Sequence, residues 1–93
     1  MKDTELYRLN ALTRDVAFEG ERQVAKWGIQ DRTSFEWMAF LTEKVGELAE
    51  AISEYEYRGG LSTEMYKEAI QVATLALKIA EMSMNSAYKK EAQ

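Results

Sequence analysis

The sequence of 93 residues contains no cysteine, no histidine and no proline. Without cysteine the chain can form no disulfide and offers no thiolate nucleophile. Without cysteine and histidine it lacks the ligands of a Cys/His zinc site, and it cannot build a serine–histidine–aspartate triad. Function must therefore come from other side chains or from a bound cofactor.

Basic residues and long apolar runs are also scarce. The chain has 12 lysines and arginines against 16 aspartates and glutamates, which gives a net charge of −4. Nucleic-acid binding depends on a basic surface, so we expect no nucleic-acid partner. No apolar run approaches the roughly 20 residues that span a bilayer. The polar start, M-K-D-T-E, is not followed by an apolar segment, so no signal peptide is expected. These features favour a cytoplasmic protein that does not bind membranes.

Hydrophobic residues recur at helical spacing along the chain, and the alternation typical of strands is absent. The first helix is predicted from about Thr4 to Trp27, followed by a loop at residues 28–32. Thr33 and Glu36 form a T-x-x-E pattern, the capping box that precedes many helices. We therefore predict that the second helix begins directly after Thr33.

Glycine marks the end of the second helix. The pair Gly59–Gly60 predicts an exit through left-handed backbone angles. We expect Ser62 or Thr63 to cap a third helix, which runs to about Asn85 or as far as Lys90. Because the linker between the second and third helices is short, the two should form an antiparallel hairpin.

The predicted fold is a single all-α domain over residues 1–93, a bundle of three main helices completed by oligomerisation. Its apolar faces are predicted to contain Leu6, Leu9, Leu12, Val16, Val24 and Trp27 in the first helix, Met38, Leu41, Val45, Leu48 and Ile52 in the second, and Met65, Ala69, Val72, Ala73, Ala76, Leu77, Ile79 and Ala80 in the third. With Leu75, Met82 and Met84 included, the third helix is apolar nearly all round and needs neighbours on several sides. We therefore expect a homo-oligomer, with a dimer favoured over a tetramer.

Two glutamates lie where a helical projection places apolar side chains. Glu47 lies at the edge of the apolar sector of the second helix, close to Lys44, and Glu68 lies within that of the third, one turn from Gln71. A carboxylate in such a place is costly unless it is paired or bound to a metal. Two interpretations stay open. Glu68 forms a salt bridge with Lys44 or an arginine, or Glu47 and Glu68 face each other across the hairpin and bind a cation such as Mg²⁺.

The segment from Arg22 to Gln30 combines cationic, amide and indole side chains beside the predicted loop. In one interpretation Trp27 stacks on a nucleotide base while Arg22 or Lys26 binds a phosphate. In the other, Trp27 belongs to the core and Arg22 to the surface. The sequence alone leaves both open.

The run E-K-V-G-E-L-A-E-A-I at residues 43–52 resembles the MazG-like nucleotide pyrophosphohydrolases. These belong to the all-α NTP pyrophosphatase superfamily, with the dimeric dUTPases and the phosphoribosyl-ATP pyrophosphohydrolases. The resemblance includes W-G-I-Q at residues 27–30 and E-A-I-Q-V-A at residues 68–73, and covers roughly Glu21 to Glu81. It implies helical hairpins that assemble as dimers or tetramers and cleave NTPs to NMP and pyrophosphate with Mg²⁺, Mn²⁺ being an alternative ion.

The metal motif of that family is E-x-x-E on one helix and E-x-x-D on the next. Glu47 and Glu68 match one glutamate of each pair, and Glu43 matches a glutamate that often precedes the first pair. Lys44 and Gln71 stand where the family has the other two carboxylates. The candidate site therefore comprises Glu43, Glu47 and Glu68 as metal ligands, the first two also as catalytic residues, and Arg22, Lys26, Trp27, Gln30, Lys44 and Gln71 as substrate-binding residues.

Two functions follow from these patterns. In the first, the protein is a Mg²⁺-dependent hydrolase in which the metal offsets phosphate charge and a carboxylate orients the attacking water. In the second, it is a catalytically degenerate helical module that binds a nucleotide or a protein partner. Lys44 would then replace the metal charge by pairing with Glu47, Glu68 or a phosphate, since a protonated amine cannot bind a metal.

Overall fold

The computed structural model describes the backbone of residues 3–92 and the side chains of residues 8–84. The described chain forms helices α1 (Asp3–Trp27), α2 (Ser34–Tyr57) and α3 (Ser62–Ala92), and no strand occurs between residues 3 and 92. The predicted all-α class is confirmed, and α2 packs along α3. No helix in this range is both long enough and apolar enough to cross a membrane.

Both ends of α2 have the chemistry that the sequence predicts. The Thr33 hydroxyl accepts a hydrogen bond from the Glu36 amide at 3.2 Å, and the Glu36 carboxylate accepts one from the Thr33 amide at 3.0 Å. At the other end, Gly59 has a φ of 72° and the Gly60 amide donates to the Glu54 carbonyl at 2.9 Å. A Cβ at Gly60 would lie 2.9 Å from the Glu54 backbone, so glycine is required there.

The start of α3 differs from the prediction that Ser62 or Thr63 caps it. Ser62 is already helical, and the carbonyl of Leu61 accepts the first bonds, from the amides of residues 64 and 65 at 3.2 and 3.5 Å. The helix also continues beyond the predicted range to Ala92, because no glycine or proline follows residue 60.

Helix α3 is the central element of the fold. Both α1 and α2 pack against it, whereas within the described residues α1 and α2 do not approach each other. The Tyr66 hydroxyl donates a hydrogen bond to the Asp15 carboxylate and so links α3 to α1, which raises the pKa of Tyr66. The arrangement leaves a gap between α1 and α2 with α3 as its floor.

The predicted apolar faces do not form the core of the single chain. Trp37 and Leu75 are the buried apolar side chains among residues 8–84, together with the polar Gln71 and Thr74. Leu9, Leu12, Val24 and Trp27 of α1, Met38, Val45 and Ile52 of α2, and Leu77 of α3 are all exposed, while Leu6 lies outside the described side chains. Since Trp37 rather than its neighbour Met38 is buried, and Leu41 and Leu48 are half-buried, the side of α2 that meets α3 overlaps the predicted face but is turned away from Met38, Val45 and Ile52.

Candidate functional site

A cavity of about 880 Å³ occupies the gap between α1 and α2. Each helix lines it with residues at helical spacing, because only one side of each helix faces the gap. The lining residues are Glu19, Arg22, Gln23, Lys26 and Trp27 of α1, Gln30 and Arg32 of the loop, Trp37, Phe40, Glu43 and Lys44 of α2, and Lys67, Gln71 and Leu75 of α3. The volume lies within the range of about 300–1,000 Å³ that is usual for small-molecule sites.

The lining is basic, although the whole chain is acidic. The cationic side chains are Arg22, Lys26, Arg32, Lys44 and Lys67, and the carboxylates are Glu19 and Glu43. The lining alone carries five cations and two carboxylates, a charge of +3, but Glu36 and Glu47 just outside it pair with Arg32 and Lys44 and reduce the local charge to +1, in a chain whose net charge is −4. A cleft lined by one sign of charge focuses the electrostatic field and concentrates ions of the opposite sign. The cavity is therefore suited to an anionic ligand.

The two arginines of the cavity are held in place by neighbouring side chains. Arg22 donates to both carboxylate oxygens of Glu19, at 2.9 and 2.7 Å. This hydrogen bonding lowers the pKa of Glu19 and raises that of Arg22. Arg32 donates to the Gln30 side-chain oxygen at 3.1 Å, and its guanidinium lies 4.9 Å from the centre of the Phe40 ring. Both guanidinium groups are thus oriented before any ligand arrives.

The aromatic residues of the cavity differ in burial. Trp27 is 63% exposed, and the Lys26 ammonium lies 4.9 Å from the centre of its ring. Trp37 is only 7% exposed and meets Phe40 edge to face, with ring centres 6.0 Å apart. The cavity therefore offers one accessible indole beside a cation and one buried aromatic pair. The interpretation of Trp27 as a core residue does not hold within the single chain.

The acidic residues of α2 and α3 surround Lys44. Its ammonium donates to the Glu47 carboxylate at 2.8 Å, which lowers the pKa of Glu47 and raises that of Lys44. The charges of Glu68 and Glu43 raise the pKa of Lys44 further. One carboxylate oxygen of Glu68 is buried without a hydrogen-bond partner, and in the described part of the chain Glu68 forms no ion pair. Lys44 thus pairs with Glu47 rather than with Glu68.

Two of the described side chains depart from the metal motif that the resemblance implies. The Lys44 ammonium is paired with an oxygen of Glu47. A protonated amine repels a cation, and the neutral amide of Gln71 is a weaker Mg²⁺ ligand than a carboxylate. The magnesium site implied by the resemblance stays a prediction.

Most of the predicted site residues lie together. Arg22, Lys26, Trp27, Gln30, Glu43, Lys44 and Gln71 all line the cavity, whereas Glu47 and Glu68 are not part of its lining. Sequence reasoning missed Glu19, Gln23, Arg32, Trp37, Phe40, Lys67 and Leu75. One signal was present in the sequence: Lys67 and Leu75 lie four residues to either side of Gln71, on the same side of a helix.

Comparisons of the chain with models of protein families, with curated proteins and with solved structures give no match. The functional interpretation therefore rests on the fold, the cavity and the chemistry of its lining.

Proposed function

We propose that this protein binds a nucleoside phosphate in the cavity between α1 and α2. The observation that carries the proposal is the combination of an accessible indole with two lining cations, Lys26 and Lys67, that form no ion pair among the described residues. A nucleotide offers the two matching groups, because its phosphates are anionic and its base is a flat aromatic surface. Base–aromatic stacking and cation–phosphate contacts are the usual means of binding such a ligand.

The lining residues divide between these two tasks. Trp27 is exposed enough to stack on a base, and Lys26 beside it lies within reach of a phosphate. Lys67 lines the floor and makes no ion pair within the described residues, so its ammonium is available to a ligand. Lys44 also lines the cavity, but its charge is balanced by its ion pair with Glu47. Binding in the cytoplasm is part of the proposal, because nucleoside triphosphates are abundant there.

Calorimetric titration with a panel of NTPs tests the proposal. We expect Trp27→Ala to weaken nucleotide binding by ~1–3 kcal/mol, the range for loss of base–aromatic stacking. Phe35→Ala is the matched control, because Phe35 is an exposed aromatic residue outside the cavity lining and its loss should leave the affinity unchanged. Equal affinities of the two variants and the wild type would exclude Trp27 from the site.

The second candidate function is pyrophosphohydrolysis of the nucleotide, from NTP to NMP and pyrophosphate. Two observations favour it: the resemblance of residues 43–52 to the MazG-like enzymes, and the buried, unpartnered carboxylate oxygen of Glu68. Glu43 and Glu47 are the proposed catalytic residues. Pyrophosphate release is measured from a panel including dUTP and modified nucleotides, with and without Mg²⁺ or Mn²⁺. Metal-dependent release that is lost in Glu47→Gln supports hydrolysis, whereas tight binding without release supports a binding module.

We further propose that the chain forms a homodimer through α2 and α3. A folded monomer of 10.7 kDa exposes about 5,500 Å², whereas this chain exposes 7516 Å². Its radius of gyration is 15.7 Å, against about 12 Å for a domain of this length. The excess of about 2,000 Å² is the area that one chain contributes to a large homodimer interface.

The surface proposed for the partner copy is the apolar stripe of α2, defined as Met38, Leu41, Val45, Leu48 and Ile52. These positions alternate by three and four residues, the spacing of a helix–helix seam. Met38, Val45 and Ile52 are 52%, 47% and 41% exposed in the single chain. Two hairpins that meet along this stripe would form a four-helix core with two-fold symmetry.

A further inference from the structure

Gln71 is a buried polar residue whose hydrogen-bonding capacity is not used by the described residues. It is 8% exposed and lines the cavity, and its side-chain oxygen is buried without a partner. Most buried polar atoms in folded proteins are paired, and an unpaired one lowers stability. The other two amides of the cavity are engaged, since Gln30 accepts from Arg32 and Gln23 donates to Glu19. Gln71 is therefore the cavity amide without a partner among the described residues, and a ligand would reach its shielded oxygen once the side-chain amide turns toward the cavity.

We infer that Gln71 binds the nucleotide base by accepting a hydrogen bond from one of its N–H groups. Phosphate oxygens are acceptors at neutral pH, so a phosphate cannot satisfy an acceptor such as the Gln71 oxygen. A base can, because every natural base carries at least one N–H donor on its hydrogen-bonding edge. This inference rests on the proposed nucleotide-binding function and adds the part of the nucleotide that Gln71 contacts.

The order of residues along the floor of the cavity supports a base at this position. Lys67, Gln71 and Leu75 follow one another at intervals of four residues on the same side of α3. With a rise of 1.5 Å per residue, successive members are about 6 Å apart along the helix axis. The floor therefore changes from cationic to amide to apolar over about 12 Å, roughly the length of a nucleotide. A phosphate at Lys67 would place the base over Gln71 and Leu75.

Methylated nucleotides test the inference on the wild-type protein, so the result does not depend on a variant that folds. Affinities are measured by calorimetry for UTP against N3-methyl-UTP and for ATP against N6,N6-dimethyl-ATP. We expect the nucleotide that the protein prefers to lose about tenfold or more in affinity when its donor is methylated, because the Gln71 oxygen then stays unpaired. Equal affinities of both parent and methylated compounds would refute a contact with a base donor.

Gln71→Met supplies the second measurement, since methionine is of similar size and has no acceptor of comparable strength. We expect this variant to bind the preferred nucleotide about tenfold more weakly and no longer to discriminate against its methylated form. Binding of inorganic tripolyphosphate should stay within twofold. The melting temperature of the free protein should rise by about 5 °C, because an unpaired buried acceptor has been removed.

The outcomes separate this inference from the proposed function. A lower melting temperature with unchanged nucleotide affinity would make Gln71 a structural residue and overturn the inference alone. An equal loss of tripolyphosphate binding would place Gln71 at the phosphates and also overturn it. Failure of the wild type to bind any nucleotide would refute the proposed function itself.

Discussion

Ile52→Glu is predicted to dissociate the proposed homodimer. Ile52 lies in the apolar stripe of α2 and is 41% exposed in the single chain. Full burial of such a side chain stabilises by about 1.5–3 kcal/mol, so the part still exposed corresponds to about 1 kcal/mol per copy. A two-fold interface contains each residue twice, which gives about 2 kcal/mol, or roughly a 30-fold increase in Kd. The buried charge of the glutamate adds to this effect.

Sedimentation equilibrium from nanomolar to tens of micromolar chain measures the dissociation constant directly. Tyr57→Glu is the matched control, because Tyr57 is 83% exposed on the same helix but lies outside the apolar stripe. We expect the control to dimerise like the wild type and Ile52→Glu to sediment largely as a monomer. A wild-type protein that sediments near 10.7 kDa at all concentrations would refute the dimer. An Ile52→Glu dimer as stable as the wild type would refute this choice of surface.

Two further predictions concern charges at the cavity. The hydrogen bond from Arg22 lowers the pKa of Glu19 in the folded state below its ordinary value of 4.5. Glu19 therefore stabilises the fold above pH 4.5, and this stabilisation is lost as the pH falls through the lowered pKa. Glu19→Gln should therefore reduce the dependence of the melting temperature on pH in that acid range, and an unchanged dependence would contradict the assignment. Lys44→Glu combined with Gln71→Asp introduces the carboxylates of the MazG-like pattern that the sequence resembles, so the double variant should melt lower than wild type without metal and recover with Mg²⁺. A variant no more responsive to Mg²⁺ than the wild type would show that these residues do not face one site.

The helices could be predicted from the sequence because local interactions determine them. The capping box of Thr33 and Glu36 and the left-handed exit at Gly59 involve residues within six positions of one another, and both occur as predicted. The cap of α3 could not be predicted in the same way. Hydroxyl side chains at Ser62 and Thr63 suggested a side-chain cap, but α3 begins at Ser62, and Leu61, which precedes it, has no side-chain acceptor.

The packing of the helices was harder to predict from the sequence, because a helical projection assumes that each apolar face is turned toward the chain's own core. The local composition of the segment containing Lys26 and Trp27 indicated a binding site as one of two interpretations. Lys67 and Arg32 were missed, because they join that segment only when α1, the loop and α3 meet around the cavity. Such a site is a property of the packing of distant segments, and no single stretch of sequence contains it.

The unexpected orientation of α2 explains both the open cavity and the small core. By turning Trp37 and Lys44 toward α3 and the gap, the chain uses its mixed polar and aromatic side to line a cavity. The same orientation leaves Val45 and Ile52 exposed. Their apolar area is therefore not buried and does not stabilise the single chain. A partner copy on that stripe would supply the missing core without closing the cavity, because the exposed stripe and the cavity lining occupy different sides of α2. The proposed dimer and the open cavity would therefore have a common cause in the orientation of one helix.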